Sequence, residues 1–525
     1  MRILFSVRNP SYIRHYESVL RRLMERGHSV RLAVERSKKE VWPAWVYALA
    51  DQYPALQIGS SPSLQEDRWF ELATRLRQAR FYLRFLEPKY RGMGALLGRA
   101  RSRAPRLVIL LAETIGIGRA GRRMLAEILD FLDRATHTPA QFHAHLREQR
   151  PDLIVLTPLV VLRTSQIDLA RAAIELGIRN VFAVASWDNL SSKGELTFAP
   201  QQILVWNEVQ RGELAEFHGV DSARVAVTGA QLFDEWFEKR PSTTREEFCA
   251  RVGLRADRPI VLYVCSALLE GSPPEPTFVE RWARQLRASA RRSVRDCGIL
   301  IRPHFKRGDE WRSVRFDGLD NVVCWPPLGA VPADAGSKTD YFDSLFHAAA
   351  IVGLNTSAMI EAAILGRPVL TVLLPEFRDS QEGTVHFHYL LHGPNALLRS
   401  TRSLDAHTGD LAEVLERPGI DRERVARFVR TFVRPAPVDV PATTRFVDNL
   451  EALAASPAPE PQPEARWTLA LRPILRPFAD AAVRRVLRLK AERRHRKNRE
   501  LEEHRRQRKR ANKAAKKAAK RAAAG

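Results

Sequence analysis

The chain has no paired cysteines. Cys249, Cys265, Cys297 and Cys324 are scattered over 525 residues without a CxxC. That spacing excludes a dense disulfide framework and points to buried thiols in a reducing compartment. Long apolar runs are also missing. Residues 107–118 come nearest, but Glu113 interrupts them, and a bilayer span needs roughly 18 residues. The opening Met1-Arg2-Ile3-Leu4-Phe5 enters a strand pattern at once, without the apolar core and small-residue cleavage site of a secretory leader. A cytoplasmic location is therefore expected.

Nor is the net charge of +24 spread through the chain. Residues 466–525 hold 22 Lys and Arg against 5 acids, a surplus of 17, which leaves +7 on the 465 residues before them. The basicity belongs to a tail, so nucleic acid is not expected as a partner of the body. What remains is ordinary globular material, 45% apolar and 27% charged, long enough for two or more domains.

The pattern of the body is α/β. Residues 2–7 form a short apolar run, and Val19, Leu20, Leu23 and Met24 follow at helical spacing. Gly27 stops that helix, and residues 28–34 alternate as the next strand. Residues 40–150 carry few strand signals and many Arg, Leu and Trp, and read as a helical insertion against which an acceptor could lie. Strand runs resume at 152–157, 180–185, 202–206 and 224–228. A second set follows at 259–265, 298–302, 322–325, 350–353 and 368–374. Two such units predict two Rossmann-like domains facing a cleft. The expected divisions are 1–240 and 241–453, a proline-rich linker over 454–465, and a basic helical or disordered tail over 466–525.

Candidate chemistry gathers at predicted strand ends. Gly353 ends one strand, and Asn355, Thr356 and Ser357 precede a helix whose free N–H groups would cradle a pyrophosphate. Glu361 lies one turn on, placed for ribose hydroxyls. The same residues would serve a plain helix cap, so the isolated turn is an even choice. Arg302 and His304 flank Pro303 at another strand end and suit a phosphate or leaving group, as they would suit an exposed loop. Ser266, Gln381 and His386 are further loop-top candidates on the donor side. His386 and His388 have no third ligand at sensible spacing, and no metal is expected. Trp187, Asp188, Asn189 and Lys193 form a polar segment on the acceptor side. There Asp188 is a candidate general base, although Asx-turn residues would read alike. His15 is the other candidate base and His304 the third candidate catalytic group.

The opening βαβ with Arg26 to Val30, the segment Trp187 to Gly194, and Leu204 to Asn207 with His218 to Asp221 and Val227 to Ala230 resemble the GT-B glycosyltransferase superfamily. Within it they are similar to bacterial surface-carbohydrate proteins related to CDP-glycerol glycerophosphotransferases. The resemblance runs to about residue 435. It implies a GT-B-like fold, and a donor nucleotide held at Asn355 to Glu361 and at Arg302 to His304. The implied activity is transfer of a glycosyl or glycerophosphoryl group from a nucleotide-activated donor to a surface-polysaccharide or lipid-linked acceptor, without a cofactor. The alternatives are a non-hydrolysing UDP-GlcNAc 2-epimerase-like enzyme and a catalytically silent scaffold. Epimerases of that kind carry a His-x-Glu-Ala-Gly-Leu-Arg segment where this chain has Ala185 to Asn189. In the tail, residues 467–490 read as a basic amphipathic helix on an anionic membrane, interrupted by Pro473 and Pro477, or as a disordered solubilising extension.

Overall fold

A computed structural model describes residues 1–35, 41–62, 64, 67–331, 334–435 and 437–522. Residues 40, 63, 65 and 66 of the expected insertion and 523–525 of the expected tail lie outside the described residues.

The first sheet has seven parallel strands: β1 Arg2–Val7, β2 Ser29–Glu35, β3 Leu56–Ser61, β4 Leu153–Thr157, β5 Arg179–Ala183, β6 Gln202–Val205 and β7 Val225–Val227. Their order is β3-β2-β1-β4-β5-β6-β7. The second has six: β8 Ile260–Val264, β9 Gly298–Arg302, β10 Val322–Cys324, β11 Ala350–Gly353, β12 Val369–Val372 and β13 Arg399–Thr401, ordered β10-β9-β8-β11-β12-β13. Central strands are buried along nearly their whole length because helices cover both faces, which is why they read as unbroken apolar runs. Phe5 stands between Leu32 and Val155 in the first sheet, and Tyr263 between Ile301 and Val352 in the second. The fold is thus α/β with two Rossmann-like domains facing a cleft, as expected of a GT-B-like chain.

Two strands escaped the sequence pattern. β3 lies inside the stretch expected to be helical, and only Leu56 and Ser61 of it are buried. β13 is a three-residue edge strand whose Arg399 pairs with Asp421 and Glu413. The rest of the insertion is helical, with Phe81, Tyr82 and Phe85 buried in a cluster that also takes in Val385 of the second domain. A buried Arg77–Asp133 pair, at 2.9 and 3.0 Å, ties its helices Arg68–Phe85 and Gly118–Arg134 together.

The chain crosses back before the tail. Helix Ala442–Ala455 inserts Phe446, Val447 and Leu450 into the core of the first sheet, with Phe446 5.9 Å from the Tyr16 ring. The expected linker is mostly exposed but laid on the first domain: Gln462 N donates to Ile174 O at 3.1 Å, and a Cβ on Gly177 would meet Pro459 O at 2.6 Å. Arg466–Ala522 is one helix containing both Pro473 and Pro477, where interruption was expected. Among the described residues no helix is long and apolar enough to cross a membrane.

Asp234 holds the crossover. Its Oδ1 accepts from Arg434 Nη2 at 2.5 Å and Ala442 N at 3.1 Å, and its Oδ2 from Thr443 N at 2.7 Å. Asp234→Ala would strand a buried guanidinium and two N–H groups. It is expected to cost about 3–5 kcal/mol in chemical denaturation, and a loss under about 0.5 kcal/mol would contradict this role.

Candidate active site

Parallel strands bring their C-terminal ends to one edge, and ligands lie where the strand order reverses. In the second sheet that point is between β8 and β11, in the first between β1 and β4. The two points face each other across a cavity of about 280 Å³. The loop after β1 contributes Arg14 and His15; the loops after β9 and β11 contribute Arg302, Pro303 and His304, and Thr356, Ser357 and Glu361.

Each side chain there is held by identifiable contacts. Arg302 is 8% exposed; its Nη1 donates to Asp340 Oδ2 at 2.8 Å and Ser344 Oγ at 2.6 Å, and its guanidinium sits 5.3 Å over the Tyr341 ring. Asp340 also accepts from Trp325 Nε1 at 3.0 Å. These partners share helix Ala335–His347 or face it, so Arg302 is a fixed positive post rather than a mobile arm. The Tyr341 hydroxyl donates to Glu361 Oε2. Burial pushes the Glu361 carboxyl up to about 7, against that hydrogen bond and the charge of Arg14. Trp236 meets Tyr341 edge to face at 5.9 Å and gives the cavity an aromatic wall.

Burial, with Lys306 and Arg307 adding, lowers His304 to about 4, so its ring is neutral at pH 7. Its Nδ1 accepts from Lys306 N at 3.3 Å, which assigns the ring proton to Nε2 as a donor. Burial and then Arg14 lower His15 to about 3, and Asp188 opposes them. His15 Nδ1 is buried without a hydrogen-bond partner among the described residues.

The expected phosphate cradle takes a different form. Helix Ala358–Ile364 has only seven residues, too few for much macrodipole, and Ser357 makes no side-chain cap bond. Thr356 Oγ1 accepts one long contact from Ala358 N, at 3.4 Å. Both hydroxyls line the cavity and remain available to a ligand, while neutralising charge falls to side chains. Arg14 makes no hydrogen bond or ion pair with the described residues. Lys239 and Lys338 also line the cavity; burial lowers the Lys239 pKa, and Lys338 Nζ reaches Glu17 across the cleft at 3.5 Å.

Four expected site residues stand outside the cavity lining as braces. Ser266 Oγ accepts from Asn355 N at 3.0 Å, and Asn355 Nδ2 donates to Ser380 O at 2.6 Å. Gln381 is wholly buried, its Nε2 donating to Leu354 O, Thr371 Oγ1 and Val372 O at 3.1–3.2 Å. Asn189 accepts from Ala185 N at 3.3 Å and holds the turn before Lys193. Polar residues at strand ends looked alike in sequence, whether they face the ligand space or fasten the loop behind it.

The remaining expected residues meet at a second point on the domain seam. Lys193 Nζ lies 2.9 Å from Asp188 Oδ2, and the Trp187 ring meets His386 of the second domain edge to face at 4.6 Å. Burial alone would raise the Asp188 carboxyl, but Lys193, His386 and hydrogen bonds from Lys193 and Ser186 hold it well below the usual carboxylate range. A carboxylate so held is a poor proton acceptor, which weakens its expected role as general base. Burial lowers His386 to about 4 despite the pull of Asp188. Arg99, from helix Gly94–Arg101 of the insertion, donates to Ser192 O at 2.7 Å beside this group. His15 connects the two points: it lines the cavity and feels the charge of Asp188.

Sequence reasoning missed Arg14, Trp236, Lys239, Lys338, Asp340 and Tyr341. Arg14 adjoins a flagged residue; Trp236, Lys338, Asp340 and Tyr341 lie on helices and Lys239 directly follows one, beyond the strand-end loops where sequence spacing gives a signal.

No protein-family model matches the chain, and no curated protein does. Among solved structures, a UDP-GlcNAc 2-epimerase from Neisseria meningitidis bound to UDP-GlcNAc aligns with 86% of this chain and 100% of its own, at 12% identity and TM-score 0.46. A glycosyltransferase from Rickettsia africae ESF-5 aligns over 87% and 99%, at 10% identity and TM-score 0.48. The wall teichoic acid polymerase TagF aligns over 86% and 89%, at 9% identity and TM-score 0.42. At such identities and scores none of these likenesses identifies the activity of this chain.

The Glu361 carboxyl yields a sign-specific test. Its folded pKa of about 7 lies above the ordinary 4.5, so the folded chain keeps a proton that the unfolded chain releases. Its contribution to stability therefore falls as pH rises from about 4.5 to 7 and levels off above. Glu361→Gln removes that slope. Relative to the wild type, the variant is expected to gain on the order of 1–3 kcal/mol between pH 5 and pH 8 in urea denaturation. A difference between the two proteins that does not change with pH would contradict the assignment.

Proposed function

We propose that the chain transfers a glycosyl or glycerophosphoryl group from a nucleotide-diphosphate donor to an acceptor hydroxyl on an envelope glycan or lipid-linked chain. The observation that carries the reading is the composition of the cavity between the facing strand-order reversals. Arg14, Arg302, Lys239 and Lys338 supply positive charge there, opposed in part by Glu235; His304 supplies a neutral N–H donor, Thr356 and Ser357 two uncommitted hydroxyls, and Glu361 a carboxyl within reach of ribose hydroxyls. Trp236 and Tyr341 offer an aromatic wall for a base.

In this reading the acceptor oxygen forms a bond to the transferred carbon or phosphorus as the bond to the donor phosphate oxygen breaks. The leaving nucleotide takes the electron pair. Arg302 and Arg14 offset its growing charge, and His304 Nε2–H donates a hydrogen bond to it. His15 receives the acceptor proton: burial and Arg14 keep it unprotonated at neutral pH, and a diphosphate bound nearby would raise its pKa. Trp187 and Lys193, at the seam next to the insertion, face the acceptor. The arrangement needs no cofactor, because side chains supply the charge compensation.

Isothermal titration with UDP, CDP, GDP and ADP tests the donor site. At least one is expected to bind, and His304→Ala and Glu361→Ala to weaken it at least ten-fold in variants that still unfold cooperatively on heating at pH 7. Affinities equal to the wild type would sink the assignment, and no binding of any nucleotide would favour a silent scaffold.

A further inference from the structure

Large exposed apolar side chains are concentrated in two segments. Of the 18 among the described residues, six lie between Leu107 and Phe131 and six between Trp467 and Leu489. The two segments touch. Leu475 and Ala479 of helix Arg466–Ala522 pack with Leu72 and Ala135 of the first domain, and the Trp467 ring stacks on Phe131 at 4.2 Å and 7°.

Beside that contact each helix turns an apolar stripe outward. On Gly118–Arg134 it is Met124, Ile128 and Phe131, at i, i+4 and i+7; on Arg466–Ala522 it is Trp467, Ile474 and Phe478, at i, i+7 and i+11. Met124, Ile474 and Phe478 are each more than 60% exposed. Arg119, Arg123 and Arg134 are exposed along one side of the first stripe, with Arg119 paired to Glu87 and Arg134 to Asp130, and most of the tail's surplus of 17 positive charges follows the second stripe.

We propose that these two helices form one docking surface for an anionic lipid bilayer, with the apolar stripes entering the interface and the arginines meeting the headgroups. The chemistry selects this occupant. An apolar stripe bordered by exposed cations is the pattern of a helix lying in a membrane surface. A nucleic-acid phosphate backbone would use the cations and leave Met124, Ile128 and Ile474 without a role. The tail alone would give electrostatic attraction; the insertion gives it a second apolar foot on a rigid domain. The surface is independent of the transferase reading, because its test involves no nucleotide.

Sedimentation of the full chain with sucrose-loaded vesicles tests it, comparing phosphatidylcholine alone with a 7:3 mixture of phosphatidylcholine and phosphatidylglycerol. Binding to the mixed vesicles is expected to exceed binding to neutral ones at least ten-fold. Met124→Glu with Ile128→Glu, and separately Ile474→Glu with Phe478→Glu, are each expected to lower partitioning at least ten-fold. Should either pair fail to fold, quenching by brominated lipid serves instead: it is expected in the wild type and reduced in Trp467→Phe. Equal pelleting with and without anionic vesicles would overturn the proposal. So would folded variants that pellet like the wild type, or binding to poly(U) RNA that displaces the vesicles at equal phosphate and is untouched by both apolar pairs.

Discussion

The carboxylate of Asp234 sets the pose on which the cleft depends. It gathers Arg434 and the first N–H groups of helix Ala442–Ala455 at the point where the chain leaves the second domain and returns to the first. The backbone there is closely apposed: Ala230 N donates to Val433 O at 2.8 Å, and a Cβ on Gly229, at φ 92°, would meet the Ala442 Cβ at 2.8 Å. Because this crossover fixes one domain against the other, Arg14 and His15 on the first come to oppose Glu361 and His304 on the second. A shift of the return helix would separate groups that share no secondary-structure element.

Within the cleft, charge is divided unevenly. Arg302 is partly neutralised by Asp340 and Lys338 by Glu17, whereas Arg14 has no described partner. Glu361, near its midpoint at neutral pH, adds less negative charge than an ordinary carboxylate. Glu235 also lines the cavity beside Lys239, so most of the positive charge is offset; an anionic ligand would meet chiefly Arg14 and would raise the pKa values of the neutral histidines around it. The seam around Asp188 behaves differently. Lys193 already satisfies its carboxylate, which makes that point a fixed dipole rather than a reservoir for protons.

Most of the sheets was legible in the sequence because strands buried on both faces must be apolar throughout. β3 and β13 were not, since edge strands with polar, half-covered residues carry neither a run nor a clean alternation. At the site, sequence spacing located the loops but not the side-chain directions. Ser266, Asn355 and Gln381 turned out to fasten the loop at Thr356, while Arg302, His304, Thr356, Ser357 and Glu361 reach the cavity. Tyr341 and Trp236 were invisible for a related reason. They reach the cavity through helix packing, a long-range property that no local pattern encodes. The tail shows the converse: its composition was plain, but its packing on the first domain through Leu475 and Ala479 depends on a complementary face in the insertion.

The central claim is that a nucleotide donor binds between the two domains. Hydrogen–deuterium exchange on the full chain, with and without the nucleoside diphosphate that binds most tightly, tests it directly. The account predicts slower exchange at three separated segments together, around Arg14 and His15, around His304, and from Thr356 to Glu361. Protection confined to one domain, or located away from these segments, would contradict it.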